Sequence, residues 1–204
     1  MAWFRCTGGN GSGQTAPAVS LKYSNGTTGT SSFVIDESGY YLLTVVYSLN
    51  GSGTISIPQG RTASYSGDVL VNNNKGMKIV VAELQSGDTV SLGTTVSNWI
   101  ANTKAVIKIP FLVSSLVDSS TASDTDIVYA LSAGSGDVLC LATAWARQIR
   151  SDYIYDDSDI VDDMIAGMTD TNVIIRAFVC DASVFPTIRM RGYDGGGVAV
   201  AVMQ

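Results

Sequence analysis

Short stretches in which apolar and polar residues alternate recur along the whole chain, separated by turns rich in Gly, Ser, Thr and Asn. The clearest stretches alternate with a period near two, which indicates half-buried β-strands: Thr54–Pro58, Thr89–Gly93, Ala105–Pro110, Pro186–Arg191 and Gly197–Met203. No helical periodicity of any length interrupts them. The pattern therefore predicts an all-β protein with its core between sheets and its loops presented outward.

Two series of predicted strands are separated by a stretch of small polar residues. The first, within residues 17–113, comprises Ser32–Ile35, Tyr40–Leu49, Thr54–Pro58, Asp68–Val71, Met77–Leu84, Thr89–Leu92 and Ala105–Val113. The second, within residues 127–204, comprises Ile127–Leu131, Asp137–Ala146, Asn172–Cys180, Thr187–Arg191 and Gly197–Met203. Strands this short and frequent are typical of sandwiches and barrels. Residues 114–126 predict a linker between two β-sandwich domains.

The two series also resemble each other in their order of long and short strands. Tyr40–Leu49 corresponds to Asp137–Ala146, and Lys78–Leu84 corresponds to Val173–Val179. Each series ends in an apolar strand. A degenerate duplication is therefore one interpretation of the chain.

Residues 1–16 form a third zone with its own composition. An apolar and aromatic start that includes Trp3 and Phe4 runs into the Gly-rich stretch Thr7–Gln14. Gly-rich and Ser-rich stretches behave as flexible coil. The segment is interpreted either as an attachment or assembly element that uses Trp3 and Phe4, or as a strand packed against its own domain.

Two stretches of the first series resemble the jelly roll of complement globular heads and tumour-necrosis-factor-like domains. They are Phe33–Tyr41 (FVIDESGYY) and Glu83–Val90 (ELQSGDTV). The resemblance implies two tandem jelly-roll-like sandwiches, and it makes a homotrimer the expected oligomer. It also implies structural roles for turn glycines Gly39 and Gly87, for Tyr41 in packing and for Asp88 as a turn cap.

The start of the chain resembles virion proteins of phages and prophages of Gram-positive bacteria. The resemblance rests on Met1–Gly9 (MAWFRCTGG), followed by Gly-rich coil and β modules. It implies a protein of the tail, baseplate or head fibre that is made in the bacterial cytoplasm and ends in the virion. Other virion proteins would be its partners, and host-surface attachment would be a further role.

Charge and composition exclude several other classes of partner. The net charge of −6 argues against binding to a nucleic-acid backbone, which requires clustered Lys and Arg. No apolar run reaches the roughly 18 residues of a membrane span, so no membrane insertion is expected. Three cysteines fit a reducing compartment. Cys140 and Cys180 are interpreted as buried apolar side chains, with a disulfide or a reactive thiol as the alternative.

The absence of histidine is the strongest argument against an enzyme. With no His in the chain, Ser-His-Asp and Cys-His catalysis and His-based zinc sites are excluded. Glu37 and Glu83 are the only glutamates, and neither belongs to a recognisable pair of catalytic carboxylates. The sequence therefore predicts a non-enzymatic protein.

The acidic segment Asp152–Asp163 is the most unusual local feature. Its crowded carboxylates repel one another and need a cation or water to relieve them. Asp156, Asp157 and Asp159 are candidate ligands for Ca²⁺, which prefers oxygen donors. A solvated acidic loop is the alternative, and no other cofactor is expected.

Aromatic residues in polar or Gly-rich surroundings suggest an alternative function. Exposed rings there would form stacking platforms for a cell-surface carbohydrate, as in a carbohydrate-binding module. The candidates are Tyr65, Trp99, Tyr153, Tyr155 and Tyr193. Each ring has a second interpretation as a packing residue, since aromatic rings carry much of the burial in small β domains.

Overall fold

The computed structural model describes the backbone of residues 19–26, 29–48, 50–72, 75–95, 104–123, 126–130, 137–146, 154–155, 172–181, 187–191 and 197–204. Within these residues the chain forms antiparallel strands and no helix, which confirms the predicted all-β class. The alternating apolar pattern accounts for this, because it places one set of side chains on each face of a strand.

The strands of the first half are β1 (Ser20–Asn25), β2 (Gly29–Val34), β3 (Gly39–Ser48), β4 (Gly53–Ser56), β5 (Ala63–Asn72), β6 (Lys75–Leu84), β7 (Thr89–Thr94) and β8 (Lys104–Ile109). Those of the second half are β9 (Leu116–Ser123), β10 (Asp126–Ala130), β11 (Asp137–Ala146), β12 (Ile154–Tyr155), β13 (Asn172–Asp181), β14 (Thr187–Arg191) and β15 (Gly197–Met203). The bounds of β11 and β15 are those predicted from the sequence.

The first half of the chain has the strand order of a jelly roll. Sheet 1 has the order β1-β8-β3-β6-β5, and sheet 2 has the order β2-β7-β4. In a regular eight-stranded jelly roll, strands one, eight, three and six face strands two, seven, four and five. The chain departs from this order only at β5, which pairs with β6 in sheet 1 and not with β4 in sheet 2.

The described strands of the second half repeat this order. Sheet 3 has the order β13-β11-β15-β9, and sheet 4 has the order β10-β14-β12. Counted from β9, sheet 3 contains strands one, seven, three and five, and sheet 4 contains strands two, six and four. This is the order of the first half if its fifth strand is left out, so that β13, β14 and β15 take the places of β6, β7 and β8. The recurrence supports the interpretation of a degenerate duplication. The division into two tandem domains, with boundaries near residues 113 and 127, stays a prediction.

The predicted linker, residues 114–126, is largely β-structure. Leu116–Ser123 forms β9, which pairs with β15 at the edge of sheet 3. Just before it, the backbone N–H groups of Ser114 and Ser115 donate to the carbonyl oxygen of Gln204 at 3.0 and 2.9 Å. The sequence does not reveal this strand because backbone hydrogen bonds, which small polar side chains do not indicate, hold it at the sheet edge; that the segment joins two domains stays a prediction.

Sheet 1 is buried on both faces and forms the central layer of the fold. On one face, Leu42 belongs to an apolar cluster with Leu139 and Leu141 of β11 in sheet 3. On the other face, Leu43 belongs to a cluster with Leu92 of β7 in sheet 2. Each such side chain contributes about 1.5–3 kcal/mol by leaving water. The continuous apolar run of β3 is therefore explained by burial on both faces.

Three of the four residues expected to have structural roles from the resemblance to tumour-necrosis-factor-like domains have them, and the fourth, Gly39, begins strand β3. Gly87 has φ of 90°, a left-handed conformation that glycine adopts without strain. Tyr41 is fully buried, and its hydroxyl donates to the carbonyl oxygen of Glu37 at 2.6 Å. The Asp88 carboxylate caps its turn by accepting the backbone N–H of Gln85 at 2.8 Å.

Candidate functional site

Tyr65 is the one predicted carbohydrate platform whose side chain the structure describes. It lies on the edge strand β5, is half-buried and packs against the cluster between sheets 1 and 3. Burial, with a smaller effect of the nearby Asp68, raises the pKa of its hydroxyl. This position agrees with the packing interpretation of the ring, and a ligand-binding role for Tyr65 stays a prediction.

The other predicted site residues fall largely outside the described residues. Tyr155 is placed only by its backbone, in β12, where it pairs with Arg189 of β14. Outside the described residues lie the aromatic candidates Trp99, Tyr153 and Tyr193, the assembly candidates Trp3 and Phe4, and the metal candidates Asp156, Asp157 and Asp159. Their roles in binding, assembly and metal coordination stay predictions.

The described residues offer no cluster of three or more His, Cys, Asp or Glu side chains that could hold a metal ion. Cys140, in the middle of β11, is fully buried and carries a free thiol. It packs as a small apolar residue, as predicted.

Two groups of ion pairs at the surface stabilise turns of the first half. The Arg61 guanidinium donates to both carboxylate oxygens of Asp88, at 2.7 and 3.3 Å. Glu37 accepts from Lys22 at 2.5 Å and from Lys108 at 2.9 Å. Every charged side chain named here has an opposite charge beside it. Stabilisation of the turns therefore accounts for these groups without a bound ligand.

A third polar group surrounds Tyr47 near the end of β3. Its hydroxyl donates to Asp68 at 2.8 Å, and Asp68 also accepts from Lys78 at 3.1 Å. Burial and this hydrogen bond raise the pKa of Tyr47 to about 12. The ring lies against Gly53 and Gly76, where a Cβ atom would clash with it. The partners satisfy one another, and the group joins β3, β5 and β6.

A fourth polar group differs from these because its charge lies inside the sandwich. Lys104, the first residue of β8, is fully buried. In the strand register it lies between Asn25 of β1 and Val45 of β3. Directly paired residues share a face, and Val45 belongs to the cluster between sheets 1 and 2. The Lys104 side chain therefore enters the space between these two sheets.

The contacts of Lys104 come from both sheets. Its Nζ donates to the hydroxyl of Ser31, on β2 of sheet 2, at 3.0 Å. The Asn25 amide nitrogen reaches the same hydroxyl at 3.5 Å and donates to the Tyr23 hydroxyl at 2.8 Å. The Tyr23 ring packs against Phe33, with ring centroids 5.3 Å apart. The amine group is thus enclosed by hydroxyl, amide and aromatic groups.

The surroundings of Lys104 make its ammonium form less stable than it is in water. Burial lowers the pKa of the amine, and the nearby Tyr23 opposes this only in part. None of the ion pairs between described residues includes Lys104. A neutral lysine amine is a nucleophile, whereas its ammonium form is not. This group of Tyr23, Asn25, Ser31 and Lys104 is called the Lys104 cluster below.

Sequence reasoning missed the Lys104 cluster. The predicted strand begins at Ala105, one residue after Lys104. The sequence of β8 (KAVIKI) gives no signal for it, because Lys104 and Lys108 share a face of the strand and Lys108 is only half-buried. Asn25 and Ser31 are ordinary turn residues in sequence, so only the strand register reveals their relation to Lys104.

No protein-family model, curated protein or solved structure matches the chain. Within the described part of the chain, no helix has the length and apolar character needed to cross a membrane.

Proposed function

We propose that the chain is a non-enzymatic structural protein of a phage or prophage particle, part of the tail, baseplate or head fibre, which acts by assembly and contributes to host-surface attachment. The observation that supports this most is the jelly-roll strand order of the first half, repeated among the described strands of the second. Viral capsid domains commonly use this architecture. The start of the sequence, with its resemblance to virion proteins, adds to the argument.

The edges of the sheets favour an oligomer. β1 and β2 are edge strands of sheets 1 and 2, and each has six residues. Among the described residues, nothing pairs with their outer sides. Unpaired edges invite pairing with other chains, and closed oligomers cover them. A homotrimer, the expected state from the resemblance, would cover such edges.

Light scattering on the full chain tests this proposal. A trimer whose mass does not change on dilution is the expected result, and a monomer at all concentrations would contradict assembly as the function. The double variant Trp3→Ser and Phe4→Ser, measured beside the full chain, separates oligomerisation from attachment. If it remains a trimer but no longer joins other virion proteins, the β domains carry oligomerisation and the N-terminal residues carry attachment.

Recognition of a cell-surface carbohydrate is the second candidate function, favoured by the same strand order because lectin domains also use jelly rolls. A glycan array probed with the full chain distinguishes the two. Saturable binding that Tyr65→Ala or Trp99→Ala removes would support a carbohydrate-binding module. An array without binding would leave assembly as the function.

A further inference from the structure

The Lys104 cluster places an amine and a carboxamide side by side inside the sandwich. Asn25 and Lys104 are register partners on adjacent strands, so their side chains leave the same face of sheet 1. Their nitrogen atoms both lie within hydrogen-bond reach of the Ser31 hydroxyl. From this juxtaposition we propose that Lys104 and Asn25 react with each other to form an intramolecular amide bond between β8 and β1.

The fold supplies the orientation that such a reaction needs. Two groups held together by a rigid scaffold react far faster than the same groups free in solution, because the entropy of bringing them together has already been lost on folding. Here the antiparallel ladder of β1 and β8 fixes both backbones, with paired residues from Leu21 to Asn25. Ser31 of sheet 2 lies on the other side of these side chains and accepts a hydrogen bond from Lys104.

The surroundings also raise the share of Lys104 that is in its amine form. Lys104 is fully buried and forms no ion pair with any described carboxylate. Burial disfavours the ammonium ion, and the pKa of Lys104 is lowered accordingly. The lowered pKa increases the fraction of Lys104 whose amine lone pair can attack the carboxamide carbon of Asn25.

The reaction balances without an added reagent. The lone pair of Lys104 Nζ forms a bond to Cγ of Asn25, and the bond from Cγ to Nδ2 breaks. One proton of Nζ passes to the Ser31 oxygen while the proton of that hydroxyl passes to Nδ2, which leaves as ammonia. The Tyr23 hydroxyl accepts a hydrogen bond from Nδ2 of Asn25 at 2.8 Å and so holds the carboxamide in place. Tyr23 and Ser31 are thus positioning and proton-transfer residues.

The consequence would be a covalent link between the first and last strands of the first half. A cross-link between distant residues restricts the unfolded chain, and its effect grows with the length of the loop that it closes. The link would hold β1 on the edge of sheet 1 under force or heat. It does not depend on the proposed virion function, because it can be detected in the isolated protein.

Intact-mass spectrometry of the full chain is the test. The folded protein is expected to be lighter than its sequence by one ammonia, and a tryptic digest should contain one branched peptide that joins the segment with Asn25 to the segment with Lys104. A protein with the mass of its sequence after prolonged incubation would overturn the proposal.

Three variants separate this bond from other causes of the same mass change. Asn25 precedes a glycine, so its own cyclisation to a succinimide would also release ammonia. Lys104→Met should restore the full mass if the amide bond is the cause, and a mass loss that persists in Lys104→Met would overturn the proposal. Lys108→Met, a lysine on the same strand outside the cluster, should keep the loss. Ser31→Ala should slow the release of ammonia several-fold, and an unchanged rate would refute the proton-transfer role of Ser31.

Discussion

Two buried threonines of sheets 1 and 2 differ in whether their hydroxyls are satisfied. Thr44 on β3 is fully buried, and its Oγ1 atom has no hydrogen-bond partner among the described residues. Thr94 on β7 is also buried, but its hydroxyl donates to the carbonyl oxygen of Val46 at 3.1 Å. A buried hydroxyl without a partner costs about 1–3 kcal/mol, whereas a satisfied one contributes about 0.5–1.5 kcal/mol.

The same substitution at these two positions should therefore have opposite effects. Thr44→Val is expected to raise the free energy of unfolding by about 1 kcal/mol, because valine keeps the shape and removes the unsatisfied oxygen. Thr94→Val is expected to lower it by about 1 kcal/mol, because the carbonyl of Val46 loses its partner. Urea denaturation of both variants gives the answer. A loss of stability in Thr44→Val would show that its hydroxyl has a partner in solution.

The turn between β6 and β7 gives a prediction about pH. The Arg61 guanidinium, and then the backbone N–H of Gln85, hold the pKa of Asp88 below its ordinary value. A carboxyl whose pKa is lowered by folding stabilises the protein above its unfolded pKa, and this contribution disappears as the pH falls through the folded pKa. The contribution of Asp88 should therefore be complete above about pH 5 and lost progressively below about pH 4.

Thermal melts between pH 2 and pH 7, roughly the range over which an aspartate titrates, test whether the contribution of Asp88 to stability is lost as the pH falls. Asp88→Asn should lower the melting temperature at neutral pH and lose less stability than the wild type on acidification. Arg61→Gln should likewise make the melting temperature depend less on pH in the acid range, since Arg61 is the main cause of the lowered pKa of Asp88. An Asp88→Asn variant that loses as much stability on acidification as the wild type would contradict the role assigned to Asp88.

At the scale of elements, the sequence predicts strands well where apolar side chains alternate and poorly where the backbone alone holds them. β11 and β15 have their predicted bounds because their apolar content is high. β1 (SLKYSN) and β9 (LVDSSTAS) were not predicted, because both are polar edge strands fixed by pairing with β8 and β15. The Lys104 cluster is hidden for the same reason, since strand register joins residues that are far apart in sequence.

The assignment of β9 as a strand can be tested with proline at two successive positions. In an antiparallel edge strand, alternate N–H groups point to the neighbouring strand and to solvent. Ser120 and Thr121 pair with Val200 and Ala199 of β15. One of Ser120→Pro and Thr121→Pro should therefore remove a ladder hydrogen bond and cost about 1–3 kcal/mol, while the other should be tolerated. A flexible linker would tolerate both, so equal and small effects in denaturation would contradict a strand here.

At the scale of the whole molecule, the apolar cluster between sheets 1 and 3 joins the two halves of the chain. It contains Leu42 and Ile107 from the first half and Leu139 and Met203 from the second. Sheet 1 therefore has one face in the sandwich with sheet 2 and the other against sheet 3. Two domains that merely followed each other along the chain would not share such a cluster, and they would unfold separately.

We therefore expect one cooperative unfolding transition, with calorimetric and van't Hoff enthalpies that agree. Ile107→Val, a buried change in the first half, should cost about 0.5–1.5 kcal/mol. Because the cluster is shared, the slowest-exchanging amides of β11 in the second half should lose protection by the same free energy in a hydrogen-exchange measurement. Val34→Ala, at a 59% exposed position of β2, is the matched control and should leave hydrogen exchange in β11 unchanged.

Two resolved transitions, or unchanged β11 exchange in Ile107→Val, would mean that the halves are energetically independent. The shared cluster would then be a docking contact between two separately stable sandwiches.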